Sequence, residues 1–229
     1  MQTVDMSKCV EGTFIQELKN RFLCEVLISN ISTVCYVPSS CHLSNFLSLQ
    51  GKKVLLIPTA APKARTRFAL FAIPYKRNYI ILNTSMANRA MENSLQSRQF
   101  SFLGRRRTIM AEHHIEGYKA DFYIEDTKTI IEVKSVLSVD EHAIFPTVYS
   151  ERSLSQINRL KAFLQQGYRV HYDIVSLNPY VKGIVINSDT AYGQMIKDCS
   201  TIGMTFFAHS CYYTNGLVIL KKRLPITFS

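Results

Sequence analysis

The sequence predicts a mixed α/β (α+β) chain in two parts. A five-stranded OB-like β-barrel is expected over residues 1–82, and an α/β domain with a mixed sheet over 83–229. Three observations predict this. Residues 14–82 break into short runs of apolar and β-branched residues with little helical periodicity, which suits a small barrel. At Asn83 the spacing of apolar residues becomes helical. Beyond it, helix-like and strand-like segments alternate, as they do when helices cover a sheet.

The first strands are "FLCEVLIS" and "STVCYVP", with Asn30 between them as a turn residue. "KKVLLIP" follows Gly51 and is closed by Pro58. "RTRFALFAIPY" comes next, and "KRN" turns it into "YIIL". The loop "PTAAPKARTR" is basic and expected at the surface. In "NTSMANRAMENSLQ", Asn83, Thr84 or Ser85 can cap a helix on which Met86, Ala90, Met91 and Leu95 share one face. "GRRRT" then leads into a strand, "TIMAEHHI". Gly117 makes a turn, and "YKADFYI" and "TIIEVKSV" form two strands joined by "EDTK". Residues 150–165 have the period of a helix, "YRVHYDIVSL" reads as a strand and 189–201 as a helix. "MTFFAHSCYY" and "LVILKKRL" read as the last strands.

Charge is distributed unevenly. Residues 1–110 hold 15 Lys/Arg against 5 Asp/Glu, whereas residues 111–229 hold 12 of each. Between Glu25 and Glu112 the only acid is Glu92, against twelve basic residues. Acids that are absent, and not merely outnumbered, point to a polyanion partner for the first half. Lys52, Lys53, Lys63, Arg65, Arg67, Arg105, Arg106 and Arg107 are the candidate nucleic-acid contacts. Phe68, Phe71, Tyr75 and Tyr79 lie among these cations and could stack bases, but at least two of them are expected inside the barrel.

Six cysteines occur without a C-x-x-C pair or zinc-ligand spacing, so reduced and mostly buried thiols are expected, with a Cys35–Cys41 disulfide as the alternative. No apolar run reaches the roughly 18 residues of a membrane span, and the N-terminus lacks the basic and apolar parts of a signal peptide. A cytoplasmic location without membrane contact is the expectation. A homo-oligomer is compatible with the sequence.

The strand "TIIEVKSV" carries the chemistry. Side chains alternate along a strand, so Glu132 and Lys134 share a face while Val133 points into the core. Asp121 comes beside Glu132 if "ADFYI" and "TIIEVK" pair as a hairpin. Two adjacent carboxylates repel, and a divalent cation between them relieves the repulsion. Hard oxygen donors of this kind suit Mg²⁺. A lysine beside them can orient a water or stabilise charge on a phosphoryl group. The plain reading is a surface ion pair between Glu132 and Lys134, worth only about 0–1 kcal/mol.

The spacing D-x(n)-E-x-K across a hairpin resembles the PD-(D/E)XK nuclease superfamily. More narrowly, the chain resembles the sugar fermentation stimulation protein A family. The matching pieces are "KNRFLCEV", "NTSMANR", "ADF", "IEVKSV", the "FP" and "ER" of "FPTVYSER", and the ending "LKKRLPITF", in the family's order across nearly the whole chain. The resemblance implies an N-terminal OB-fold before a restriction-endonuclease-like α/β domain. It also implies DNA binding and metal-dependent nuclease activity, with Asp121 and Glu132 as metal ligands and Lys134 as the catalytic lysine. The cofactor is then Mg²⁺ or Mn²⁺. Two segments depart from the family: "VPSSC" stands where "CPNTG" is usual, and "ERSLSQI" where "ERGQKHL" is usual, so Gln156 replaces a common histidine.

The function expected from residues and resemblance together is a metal-dependent phosphodiesterase acting on DNA, or on RNA. The rival is a DNA-binding transcriptional regulator of sugar metabolism that keeps the fold without cleavage. Glu92, on the helix before the active-site strands, and Glu151, Arg152 and Gln156, after the Phe145–Pro146 turn, are additional site candidates. An acid at the start of a helix also complements the helix dipole, which is the plain reading of Glu151.

Overall fold

The computed structural model describes residues 4–39, 42–59, 64–146 and 150–229. The first six strands are β1 (Val10–Glu17), β2 (Leu23–Ile28), β3 (Ile31–Tyr36), β4 (Lys53–Pro58), β5 (Phe68–Tyr75) and β6 (Asn78–Ile81). They form one sheet in the order β3-β2-β1-β4-β5-β6. A parallel pairing of Tyr36 with Ala69 joins β3 to β5 and closes the first five strands into a barrel.

The five strands are not the five expected from sequence. The sequence pattern does not mark β1, and β6, one of the expected five, extends the sheet from β5 as a hairpin. The reason lies in β1 itself. Its residues, VEGTFIQE, bury only Phe14 fully, so no alternation is visible. Its place between β2 and β4 is enforced by packing, since a Cβ on Gly12 would meet Val26 Cγ1 at 2.5 Å.

The remaining elements are α1 (Met86–Ser94), β7 (Ile109–Ile115), β8 (Tyr118–Ile124), β9 (Thr129–Val136), β10 (His142–Phe145), α2 (Glu151–Gln165), β11 (Arg169–Ser176), β12 (Gly183–Ile186), α3 (Ala191–Thr201), β13 (Thr205–Thr214), β14 (Leu217–Arg223) and β15 (Ile226–Phe228). The large sheet runs β14-β13-β11-β9-β8-β7 and is mixed: β9, β11 and β13 are parallel, and the outer strands antiparallel. A small parallel sheet, β10-β12-β15, was not foreseen. Its strands of three or four residues are too short to show a period.

The large sheet is buried on both faces. Against one face lie α1 and the barrel, with Phe71, Leu82, Met91, Ile131, Val133 and Leu220 in a common core. Against the other lie α2, α3 and the small sheet, with Ile157, Phe163, Tyr172, Ile184 and Ile196. Barrel and sheet are also tied by hydrogen bonds. Ile81 N donates to Leu177 O at 3.0 Å, Asn78 Nδ2 to Tyr213 O at 3.3 Å, and Arg77 N to the Tyr180 hydroxyl at 3.0 Å.

The aromatic quartet serves this packing. Phe71 is fully buried, Tyr79 meets Tyr213 edge-on at 6.0 Å, Tyr75 meets Tyr180 at 5.7 Å, and Phe68 packs on the core. Cys9, Cys24, Cys35, Cys199 and Cys211 are free thiols, so Cys35 carries no disulfide; Cys41 lies outside the described residues. Among the described residues no helix is long and apolar enough to cross a membrane.

Candidate functional site

The hairpin of β8 and β9 pairs antiparallel through Ile124–Thr129, Tyr123–Ile130 and Phe122–Ile131. The next residues in that register are Asp121 and Glu132. There the backbone ladder stops, and the Asp121 side chain takes it over: its Oδ2 accepts the Val133 N–H at 2.8 Å. The other oxygen, Oδ1, accepts from Asn88 Nδ2 of α1, also at 2.8 Å. A strand residue directs its N–H and C=O to the same side, so the Val133 carbonyl faces the same gap.

Glu132 lies on the opposite face from Val133, as alternation requires, and is only 2% exposed. Its Oε2 accepts the Tyr118 hydroxyl at 2.5 Å, and its Oε1 accepts Lys134 Nζ at 2.6 Å. Lys134 Nζ also donates to Gln156 Oε1 of α2 at 2.8 Å. The pair Glu132–Lys134 is therefore an interior ion pair at the floor of a cleft, not a surface one. Burying such a pair is costly unless its remaining donors and acceptors are satisfied, and Tyr118 and Gln156 supply that. Below it, the hydroxyls of Tyr172 and Tyr192 are hydrogen-bonded to each other.

Electrostatics single out Asp121. Burial, then the charge of Glu132, raise its carboxyl from 3.8 to about 6, against the opposing pull of the Val133 N–H, the Asn88 amide and Lys134. Burial and Glu132 likewise push the Tyr118 hydroxyl up, so it stays protonated and donates.

The cleft above these groups has a volume of about 810 Å³. Its walls include the N-terminal turns of α1 and α2, with Ser85, Asn88, Ser153 and Gln156. Besides Lys134, its cationic side chains are Arg21, from the β1–β2 turn, and Arg152. The Ser150 hydroxyl accepts the Ser153 N–H, capping α2, whose N-terminus carries partial positive charge toward the cleft.

Of the additional candidates, Arg152 and Gln156 line the cleft and the two acids do not. Glu92 is exposed and pairs with Arg89 at 3.1 Å; Asn88, one turn earlier, is the α1 residue that reaches Asp121. Glu151 is exposed in the first turn of α2, the place of an acid that complements the helix dipole.

The basic candidates lie elsewhere. Lys52 and Lys53 are exposed on the barrel, with Lys53 3.7 Å from Glu11. Arg67 lies over the Phe68 ring, Arg105 is 3.7 Å from Asp126, and Arg107 is exposed. Arg65 lines a second groove on the barrel, and Lys63 falls outside the described residues. Arg106 corrects the expectation most clearly. Its guanidinium turns inward to the carbonyls of Phe100 and Ser97 and holds the short helical segment Arg98–Leu103.

Three site residues were missed: Asn88, Tyr118 and Arg21. Asn88 sits inside "NTSMANR" but three residues past the Ser85 cap, where nothing marks it as facing a strand. Tyr118 and Arg21 reach the site only through the tertiary packing. Among the described residues no cluster of three or more His, Cys, Asp or Glu side chains is arranged to hold a metal. A cation here would take two carboxylates, with the Val133 carbonyl and water as further oxygens.

Comparisons with known proteins identify the family and the fold. Residues 85–216 match the model of the sugar fermentation stimulation protein RE domain, and residues 18–82 that of the SfsA N-terminal OB domain. A sugar fermentation stimulation protein homolog from Ruminiclostridium cellulolyticum is 26% identical over 94% of this chain and 96% of its own length. A homolog of the same description from Caldanaerobacter subterraneus subsp. tengcongensis is 27% identical over 95% and 96%. The structure of Pyrococcus furiosus SfsA in complex with Ca²⁺ superposes with a TM-score of 0.83 at 21% identity, covering 99% of both chains. The chain therefore belongs to the sugar fermentation stimulation protein family, with an OB barrel preceding the domain that carries Asp121, Glu132 and Lys134.

Proposed function

We propose that the chain is a nucleic-acid-binding phosphodiesterase that depends on a divalent cation, with DNA as substrate and Mg²⁺ or Mn²⁺ as cation. One observation carries this reading. The buried carboxylate of Glu132 and the half-buried one of Asp121 meet at an open cleft, and burial together with the charge of Glu132 outweighs the protein groups around Asp121, so its carboxyl is raised to about 6. A pure binder of polyanions gains nothing from such a pair beside phosphate. The donors fit a hard cation: the oxygens of Asp121 and Glu132, with the Val133 carbonyl beside them. The Pyrococcus furiosus relative was solved with Ca²⁺, a cation of the same hard class. Bound to this pair, a divalent cation would polarise a phosphoryl oxygen and acidify a bound water.

The chain's own residues do the rest. Lys134, held by Glu132 and Gln156, keeps its ammonium at the cleft floor, where charge develops on a phosphoryl group. Arg21, Arg152 and the N-terminus of α2 attract the strand's phosphates. The Tyr118 hydroxyl fixes one oxygen of Glu132 and so its orientation.

The test is incubation of the purified protein with single- and double-stranded DNA and RNA, with Mg²⁺, with Mn²⁺ and with chelator. Cleavage is expected with either cation and none with chelator. Asp121→Ala should abolish cleavage while binding persists or tightens, because negative charge near phosphate is removed. Binding without any cation-dependent cutting would favour the regulator. Parental cutting by Asp121→Ala would remove the carboxylate pair from the chemistry.

A further inference from the structure

Apart from the cleft, a groove of about 1260 Å³ lies on the barrel. Its walls include Phe22, Val34, Tyr36, Ile57 and Pro58. Three of these side chains are unusually open for their type: Phe22 is 38% exposed, Tyr36 40% and Val34 45%. The rings of Phe22 and Tyr36 lie within 21° of parallel, centroids 6.5 Å apart. Lys8, Arg65 and Arg89 line the same groove. Its one carboxylate, Asp5, already accepts from the Ser7 N–H and hydroxyl.

The groove also adjoins the cleft. Phe22 lines the groove and its neighbour Arg21 lines the cleft, with the Arg21 guanidinium 4.8 Å from the Phe22 ring centre. On α1, Met86 and Arg89 face the groove while Ala87 and Asn88 face the cleft. The two depressions share the β1–β2 turn and the start of α1 as a common ridge.

We infer that this groove holds a single-stranded stretch of nucleic acid whose bases stack on Phe22 and Tyr36 and whose backbone then crosses the ridge at Arg21 into the cleft. The inference rests on the phosphodiesterase reading and adds to it the form of the substrate. Flat apolar faces beside cations match a ligand that carries both π-faces and phosphates. A duplex hides its base faces and cannot use the aromatic wall, so the groove selects unpaired strands. Lys8 and Arg89 are already 3.7 Å from Asp5 and 3.1 Å from Glu92, so Arg65, with Arg21 at the ridge, is the cation the groove offers to a phosphate.

The test is fluorescence anisotropy in chelator, so that no strand is cut, on a labelled oligothymidylate of about 12 nucleotides and on a hairpin duplex of equal phosphate count. The parent should hold the single strand about tenfold more tightly, and Phe22→Ala/Tyr36→Ala should lose about tenfold or more of that affinity with little change for the duplex. Equal affinity of the parent for both ligands overturns the inference. So does a double variant that keeps parental single-strand affinity, which would leave the groove to a peptide. If the double variant loses its circular dichroism spectrum, Val34→Glu, at an exposed position, carries the same expectation by placing negative charge in the groove. Cation-dependent cutting without strand preference would overturn the track alone, whereas single-strand binding without cutting would overturn only the phosphodiesterase reading.

Discussion

Two buried charge clusters occupy opposite faces of the large sheet. Glu132 aligns with Tyr172 across β9 and β11, and the next pair in register is Val133 with Asp173. Asp173 thus faces the barrel side and Glu132 the α2 side, with Asp121 beside Glu132 and bonded to Asn88 of α1 and the Val133 N–H. Asp173 has histidines as partners. His209 Nδ1 lies 2.8 Å and 2.9 Å from its two oxygens and His171 Nε2 3.2 Å from one, with Phe100, Phe102 and Phe207 packed around the rings. Burial pushes the Asp173 carboxyl up, but the bonds from His171 and His209 outweigh it and leave the group below its ordinary range. Asp121 also has two donors, yet its carboxyl is pushed up, first by burial and then by the charge of Glu132, which those donors and Lys134 do not outweigh. The difference separates a structural cluster from a ligand site. In the first the protein supplies the carboxylate's donors in full; the second is left short of positive charge at the edge of an open cleft.

The strongest test of that contrast is Asp173→Ala. It leaves two buried histidines without their acceptor and should cost about 3–5 kcal/mol in urea unfolding, with cleavage per folded molecule retained. A loss under about 1 kcal/mol would mean the cluster relaxes easily and is not a structural pin.

Next in size is Lys134→Met, which keeps the apolar stem and removes the charge. Single-turnover cleavage should fall by about 10²-fold or more, the scale of one lost electrostatic stabiliser. Affinity for Mn²⁺ should hold or rise, since a cation no longer competes for Glu132. If Mn²⁺ binding and the fold were lost together, Lys134 would be only the ion-pair partner of Glu132.

Asp121→Asn should act in the opposite direction on stability. The folded-state carboxyl is raised from 3.8 to about 6, so its contribution is full below 3.8 and is lost as pH rises through 6. Removing the ionisable group removes that loss. Above pH 6 the variant should be about 2–3 kcal/mol more stable than the parent, at about 1.4 kcal/mol per pH unit, while it no longer binds Mn²⁺. At acid pH the gain should vanish. A variant less stable than the parent at neutral pH would show that Asp121 is satisfied, like Asp173.

The smallest effect is expected from Glu92→Gln. Its partner Arg89 is a surface cation and neither side chain lies among the walls of the cleft, so stability should change by less than about 0.5 kcal/mol and cleavage not at all. A large loss of cleavage would bring the α1 carboxylate back into the site.

Local pattern was enough for much of this protein. The period-2 strand around Ile131 and Val133 forces Glu132 and Lys134 onto one face, and the "EDTK" turn brings Asp121 into line with them. The helical spacing from Met86 marks α1, and short apolar runs mark a barrel. These signals depend only on neighbours in the chain, so the sequence alone determines them. What it could not reveal depends on distant residues. The strand β1 is defined by its partners β2 and β4, and the strands of the small sheet by each other, since none carries a period of its own. Asn88, Tyr118 and Arg21 become site residues only because α1, the far end of β8 and the β1–β2 turn converge on one cleft. Arg106, one of three consecutive arginines, turns inward because backbone carbonyls of the preceding segment lie within its reach. Charge in the sequence says what a residue can attract; the tertiary structure decides whether the protein has already supplied it.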